Sequence, residues 1–134
     1  MQLVDTNVLI RHFTGDPPSQ ATRATAFLQK AEAQQLLLLD VHVAEAVYVL
    51  EGPYRQSPKS VALLMAAVMG LAAIKLEHPQ RIARATTLYA DAGLDFTDAY
   101  LIAAAEELGP ADVVSFDRFD RKVSQVSAIR RREP

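Results

Sequence analysis

Four carboxylates stand in this sequence at positions that the packing of a hydrophobic core does not explain. Asp5 and Asp117 each follow directly on a short apolar run with the composition of a β-strand. Asp98 falls in the first turn of a predicted helix, and Glu45 lies in a segment whose neighbours are mostly apolar. Ligands of open α/β sheets bind outside the carboxyl ends of the strands. The sequence therefore predicts that these acids face one edge of a sheet.

Each of these acids also has an ordinary structural explanation. Asp5 could cap the helix after it, and Asp117 could cap a short helix. Asp98 could complement the dipole of its helix, and Glu45 could face solvent on an amphipathic helix. Taken singly, these explanations are preferable. Four independent structural acids, however, need not fall at the same edge of one sheet, so the complete set favours a functional site.

The chemistry of such a set favours a divalent cation. Clustered carboxylates repel one another, and each raises the pKa of its neighbours unless cations lie among them. The chain has no cysteine and no paired histidine motif, so an all-oxygen donor set suits Mg²⁺ or Mn²⁺ rather than zinc. In sites of this kind a metal-bound water attacks in line while the metal stabilises the developing charge. Hydrolysis of a phosphodiester is the predicted reaction.

Four segments carry a family resemblance that covers essentially the whole chain. They are Val-Asp-Thr-Asn-Val-Leu at 4–9, the isolated Glu45 before Val49-Leu50, Asp-Phe-Thr-Asp-Ala at 95–99 and Val-Ser-Phe-Asp at 114–117. In order and spacing they resemble the PIN-domain nucleases, and at this length the VapC-type toxins of toxin–antitoxin pairs. The resemblance implies a Mg²⁺- or Mn²⁺-dependent endoribonuclease that is often a homodimer and is silenced by a VapB-like antitoxin.

The same resemblance implies roles for individual residues. The catalytic, metal-binding acids would be Asp5, Glu45, Asp98 and Asp117. The supporting polar residues would be Thr6, Asn7, Ser115 and Asp95. Ser115 stands where the family commonly has threonine, a change that keeps the hydroxyl group.

Two additional acids leave part of this assignment open. Asp95 lies close to Asp98 in the sequence, and Asp120 lies close to Asp117. Asp98 is the preferred member of its pair because it precedes Ala99 inside the predicted helix, whereas Asp95 comes before the cap. Whether Asp95 and Asp120 join the metal site stays undecided at this point.

Several basic residues and one histidine are candidate contacts to RNA. The candidates are Arg11, His12, Arg118, Arg121 and Lys122. The last three flank the fourth acid and could hold the RNA backbone, although a solvated helix face explains them as well. The scattered His12, His42 and His78 favour surface or loop positions over a metal-free acid–base mechanism.

Length and charge set wider bounds. A chain of 134 residues fits one domain that can bury its own core. The formal net charge is −2, and it becomes +2 once the four candidate acids are set aside, so charge neither supports nor excludes an RNA substrate. The longest apolar run, 61–74, is shorter than the ~20 residues that cross a bilayer, and no secretory leader is recognisable. The expectation is a cytoplasmic protein without membrane segments.

The elements that must position the acids alternate between strand and helix. Strands are predicted at 2–4, 36–39, 73–76, 112–116 and 126–129, and a helix is predicted to follow the polar turn at 5–7. Further helices are predicted at 19–34, 43–51, 58–69, 79–93 and 97–108. Ser19, Ser57 and Thr97 are the predicted caps. This alternation predicts a three-layer α/β fold: a central, mostly parallel sheet of four or five strands with helices on both faces. It predicts a single domain over 1–134, with a loose basic tail at 130–134.

Other functions compete with this interpretation. The chain could be a catalytically silent module that binds RNA or protein, or a nuclease that processes RNA without being a toxin. A phosphoacceptor switch needs an adjacent acidic pair and a lysine opposite, which are not evident beside Asp5. A dehalogenase-like phosphatase needs a second aspartate at the position that Asn7 occupies.

Overall fold

A computed structural model describes residues 1–109 and 112–134. The strands are β1 (Gln2–Leu3), β2 (Leu36–Leu38), β3 (Ile74–Leu76), β4 (Val113–Val114) and β5 (Arg131–Arg132). The helices are α1 (Thr6–Thr14), α2 (Pro18–Lys30), α3 (Asp40–Glu51), α4 (Pro58–Met69), α5 (Pro79–Ala92), α6 (Phe96–Glu107) and α7 (Asp120–Ser124). The chain divides into two compact units, Met1–Pro79 and Gln80–Pro134, which are described separately.

The first unit contains a three-stranded parallel sheet. Its order is β1-β2-β3, with Gln2 opposite Leu36 and Leu36 opposite Ile74. Parallel neighbours require crossover connections, which here are the helical pairs α1–α2 and α3–α4. Leu36 and Leu38 of the central strand are fully buried. The predicted α/β class with parallel strands is confirmed.

The helices of this unit begin and end where backbone chemistry dictates. Pro58 occupies the first turn of α4, and the Ser57 hydroxyl accepts the backbone N–H of Ser60 as a helix cap, as the sequence predicted. α1 ends at Gly15, whose φ of 70° gives the left-handed conformation of a helix C-terminus.

The second unit places α5 and α6 before a short parallel pair of strands. In that pair, β4 and β5, Val113 lies opposite Arg131 and Val114 opposite Arg132. Fully buried side chains of this unit include Ile82, Phe96 and Ile102. Tyr89 packs edge-on against Phe96 with ring centroids 5.8 Å apart. The five described strands thus pair as a set of three and a set of two.

Two of the predicted caps were wrong. α2 begins at Pro18 after Pro17, because proline suits the first helical turn, and Ser19 lies inside the helix. α6 begins at Phe96 with Asp95 at the cap position, so Thr97 lies in its first turn. Burial of the Phe96 ring accounts for the earlier start of α6.

The predictions at the two ends of the chain also need correction. The segment 130–134 is not a loose tail, because Arg131–Arg132 forms β5 against β4, and the described structure has no strand at 126–129. A strand is found at 2–3, as predicted at 2–4, and Leu3 is largely exposed at the edge of its sheet. None of the helices in the described ranges is both long enough and apolar enough to span a membrane.

Candidate functional site

Asp5 lies between β1 and α1 with its carboxylate free of a capping role. Its backbone is extended, as at a helix N-cap, yet its side chain makes no capping hydrogen bond. The side chain is 58% exposed. The explanation of Asp5 as a simple helix cap therefore loses its main support.

Thr6 and His42 complete what we call the Asp5 cluster (Asp5, Thr6 and His42). Thr6 is fully buried, and its hydroxyl donates to the backbone carbonyl of His42 at 3.0 Å, which links the start of α1 to the first turn of α3. His42 Nε2 lies 3.5 Å from Asp5 Oδ1. Its other ring nitrogen, Nδ1, is buried and has no hydrogen-bond partner within the described ranges. The cluster gathers residues that follow two neighbouring parallel strands.

The position of His42 differs from the expected surface or loop histidine. Its ring faces Asp5 from a helix that follows β2. The signal was available, because side chains that follow neighbouring parallel strands meet at the same edge of a sheet. Glu45 comes three residues after His42 on α3 and is exposed. Residues spaced by three share a face of a helix, so Glu45 lies on the face that carries His42.

The second unit holds the Asp98 cluster (Asp95, Asp98, Asp117 and Lys122). Asp98 is in the first turn of α6, and Asp117 follows β4. The pKa of Asp98 is raised above its ordinary value, and burial is the largest cause. The negative charges of Asp117 and Asp95 raise it further, as does a hydrogen bond with Asp117. The positive charge of Lys122 opposes this shift. Two of the four predicted acids, Asp98 and Asp117, therefore lie side by side.

Three hydrogen bonds fix Asp117, Asp95 and Lys122 of this cluster. The Asp117 backbone N–H donates to Ser115 Oγ at 3.0 Å. The Thr97 hydroxyl donates to Asp95 Oδ2 at 2.8 Å. The Lys122 ammonium donates to the carbonyl of Gly93 at 2.9 Å. The first two hydrogen bonds join residues two apart in the sequence, whereas the third joins α7 to the residue that follows α5.

The two additional acids differ in their surroundings. Asp95 belongs to the Asp98 cluster, because its charge contributes to the raised pKa of Asp98. The Asp120 carboxylate instead accepts a hydrogen bond from Arg131 Nε at 2.9 Å. An ion pair with a guanidinium neutralises the carboxylate locally, which makes Asp120 the poorer candidate for a metal ligand.

Apart from Lys122, whose ammonium is bound to the Gly93 carbonyl, the predicted RNA contacts fall into two groups. Arg118, which follows Asp117, and Arg121, in the first turn of α7, are both exposed. Arg11 Nε donates to Gln20 Oε1 at 2.6 Å, and His12 Nδ1 lies 2.8 Å from the Thr25 hydroxyl. The two arginines near Asp117 are therefore exposed to solvent, whereas Arg11 and His12 bind residues of α2.

Another group with metal-ligand chemistry lies at the ends of β2 and β3. Ligand atoms of Asp40, Glu77 and His78 lie within 4.8 Å of one another. Glu77 Oε1 accepts the backbone N–H of Asp40 at 3.0 Å, and His78 Nδ1 lies 2.7 Å from Asp40 Oδ2. This group is not among the predicted site residues. Its hydrogen bonds already join β3 to the start of α3, which is a sufficient structural role.

A groove runs between α1 and α2. Its apolar floor includes Val8, Ala24 and Phe27, and Phe27 is 44% exposed. Its polar rim carries three cationic side chains, those of Arg11, Arg23 and Lys30, together with Asn7 and Gln20. The groove has a volume of about 720 Å³. An apolar floor with a cationic rim is complementary to an amphipathic segment that carries acidic residues.

Comparison with known proteins gives two findings. A family model for the PIN domain matches residues 3–124. The chain is also similar to a VapC ribonuclease of Aquifex aeolicus (strain VF5), with 25% identity over 124 residues, which is 92% of each chain. The family match extends over the Asp5 cluster and the Asp98 cluster.

Proposed function

This chain belongs to the PIN domain family, and from that premise we propose that it is a divalent-metal-dependent endoribonuclease, the toxin of a VapBC-type toxin–antitoxin pair. The observation that carries the proposal is the pairing of Asp98 with Asp117. A protein gains little stability by holding two carboxylates together, so such a pair calls for a ligand of opposite charge.

The donor chemistry fits Mg²⁺ or Mn²⁺. The proposed metal-binding residues are Asp5, Glu45, Asp98 and Asp117, which offer only carboxylate oxygens. The family match spans all four positions. Hard divalent cations prefer such oxygens, and a cation beside Asp98 and Asp117 would relieve the repulsion that raises the pKa of Asp98. When bound, the metal would supply an activated water and neutralise charge on the scissile phosphate.

The protein's own residues supply positioning. The hydrogen bond of Thr6 to the His42 carbonyl holds the first turn of α1 in place and so fixes the backbone next to Asp5. Ser115 holds the backbone of Asp117. The exposed Arg118 and Arg121 provide positive charge for the phosphates on either side of the cleavage point. Contacts from these arginines to phosphates would carry no sequence information.

The proposed protein partner is an antitoxin that binds the α1–α2 groove. An amphipathic helix would bury its apolar face against Val8, Ala24 and Phe27 and place acidic residues near Arg11 and Arg23. Binding of this kind does not require the groove to contain catalytic residues. The partner can therefore be tested separately from the cleavage chemistry.

Sequencing of RNA ends after brief induction in a bacterial host tests the proposed function. Wild-type protein is expected to arrest growth and to create new RNA ends, and Asp5→Asn is expected to create none. Glu32→Gln is the matched control, because Glu32 is an exposed acid of the same unit outside the Asp5 cluster. New RNA ends without growth arrest would favour an RNA-processing nuclease, and unchanged RNA would favour a silent binding module.

A further inference from the structure

Strand β5 carries Arg131, whose side chain binds both ends of the loop that contains Asp117. Arg131 Nη1 donates to the backbone carbonyl of Ser115 at 2.8 Å, and Arg131 Nε donates to Asp120 Oδ2 at 2.9 Å. Asp117 lies between these two anchor points in the sequence. Only 12% of the Arg131 side chain is exposed. Its guanidinium is thus used for internal contacts rather than presented to solvent.

Strand β5 fixes Ser115 from a second direction. The Ser115 backbone N–H donates to the carbonyl of Arg132 at 2.9 Å. Ser115 therefore has its N–H, through the β-ladder, and its carbonyl, through Arg131, both bound to β5. Its hydroxyl in turn accepts the backbone N–H of Asp117. A continuous series of hydrogen bonds leads from the last strand to the backbone of Asp117.

We propose that Arg131 is a positioning residue for Asp117, and that it holds the 115–120 loop so that the Asp117 carboxylate stays beside Asp98. This inference rests on the proposed function, since it assigns Arg131 to the support of the metal-binding acids. A planar guanidinium suits the role because its fixed fork of donors can bind a carbonyl and a carboxylate at once. Asp120 then serves as the second anchor of the loop rather than as a metal ligand.

The neighbouring arginine provides a matched control. Arg132 has the same charge and lies one residue further along the same strand, but its side chain is 70% exposed. Within the described residues its guanidinium donates to the Asp112 carboxylate, at 3.3 Å, just before β4. Loss of the Arg132 side chain removes the same positive charge without touching the 115–120 loop, and its backbone carbonyl remains.

The test compares full-length Arg131→Gln and Arg132→Gln in two experiments. The first is calorimetric titration with Mn²⁺ in the absence of RNA. The second is RNA cleavage over a range of Mn²⁺ and RNA concentrations. Supporting residues around metal ligands typically contribute ten- to a hundredfold to metal affinity, so Arg131→Gln is expected to weaken Mn²⁺ binding about tenfold or more. Raised Mn²⁺ should restore much of its cleavage rate, whereas raised RNA should not. Arg132→Gln should bind Mn²⁺ within about twofold of wild type.

Wild-type Mn²⁺ affinity in Arg131→Gln, or a loss of cleavage that RNA alone restores, would overturn the inference. If Arg131→Gln does not fold, Asp120→Asn replaces it. That variant removes one anchor and should weaken Mn²⁺ binding in the same direction by a smaller factor, and unchanged affinity would again overturn the inference. Wild-type protein that binds Mn²⁺ but cuts no RNA would contradict the proposed function alone, because the Mn²⁺ comparison would still test Arg131.

Discussion

The carboxyl groups of Asp98 and Asp117 lie close enough to share a hydrogen bond, although one begins a helix and the other follows a strand. Burial and this neighbour together raise the pKa of Asp98. Lys122 offsets only part of the negative charge, since its ammonium is also bound to the carbonyl of Gly93. The metal-free protein therefore carries an electrostatic cost that a bound cation would remove.

Replacement of Asp98 by asparagine should stabilise the metal-free protein at neutral pH. The pKa of Asp98 is higher in the folded than in the unfolded state, so the unfolded state binds fewer protons and stability falls as pH rises from the ordinary value of 3.8 through the raised value. Asp98→Asn has no ionisable carboxyl group at this position, so its stability should not fall in this way. Since Asp98 is partly exposed, we expect a gain of at most about 1 kcal/mol in the free energy of unfolding, measured by urea denaturation in EDTA.

Repeating the comparison of wild type with Asp98→Asn at low pH tests whether the charge of Asp98 causes the stability gain. Below the ordinary aspartate pKa, Asp98 is protonated in both states, so the difference between wild type and Asp98→Asn should disappear. Asp91→Asn, at an exposed position on α5, should change stability little at either pH. A stability gain that persists unchanged in acid would argue against charge repulsion as its cause.

Metal binding should strengthen with pH. A carboxyl group must lose its proton before it binds a cation, and the raised pKa of Asp98 extends this competition above the usual aspartate range. We expect tighter Mn²⁺ binding at about pH 7 than at about pH 5 by calorimetry, with a shallower dependence in Asp98→Asn. Equal affinity at both pH values in the wild type would mean that Asp98 does not bind the ion.

The buried hydroxyl of Thr6 should matter for stability as well as for the site. Thr6→Val keeps the volume of the side chain but removes the hydrogen bond to the His42 carbonyl, so the free energy of unfolding should fall by about 1 kcal/mol. The comparison is Thr87→Val, because Thr87 is exposed and bonds only within its own helix. Equal effects of the two substitutions in urea denaturation would show that the tie between α1 and α3 contributes nothing.

The α1–α2 groove gives a prediction that leaves the cleavage chemistry alone. Phe27→Asp places a charge on the apolar floor and should weaken binding of the cognate antitoxin by about thirtyfold or more, as measured by calorimetry, with RNA cleavage unchanged. Leu63→Asp is the control, since Leu63 is an exposed apolar residue on α4 outside the groove. Full antitoxin affinity in Phe27→Asp would place the partner elsewhere.

The features that sequence predicted well depend on local chemistry. Ser57 and Pro58 mark the start of α4 because capping and the fixed φ of proline act within one turn. The alternation of apolar segments predicted parallel strands joined by helices. Asp98 and Asp117 were selected because each stands at the end of a recognisable element, and the structure brings these two together.

The features that sequence did not predict depend on contacts between distant residues. His42 faces Asp5 only because β1 and β2 are neighbours in the sheet. Arg131 was predicted to belong to a loose tail, because neither its charge nor its position near the end of the chain indicates that it binds Ser115 and Asp120. Thr97 was a good cap by type, but burial of Phe96 moved the start of the helix.

RNA cleavage by the purified chain tests the central claim most directly. Cleavage is expected with Mn²⁺ or Mg²⁺, none in EDTA, recovery when metal is restored, and at least about a hundredfold loss in Asp5→Asn and Asp98→Asn while Glu32→Gln stays active. Full activity in EDTA, or products that end in cyclic phosphates, would contradict a metal-dependent carboxylate site and return attention to the histidines.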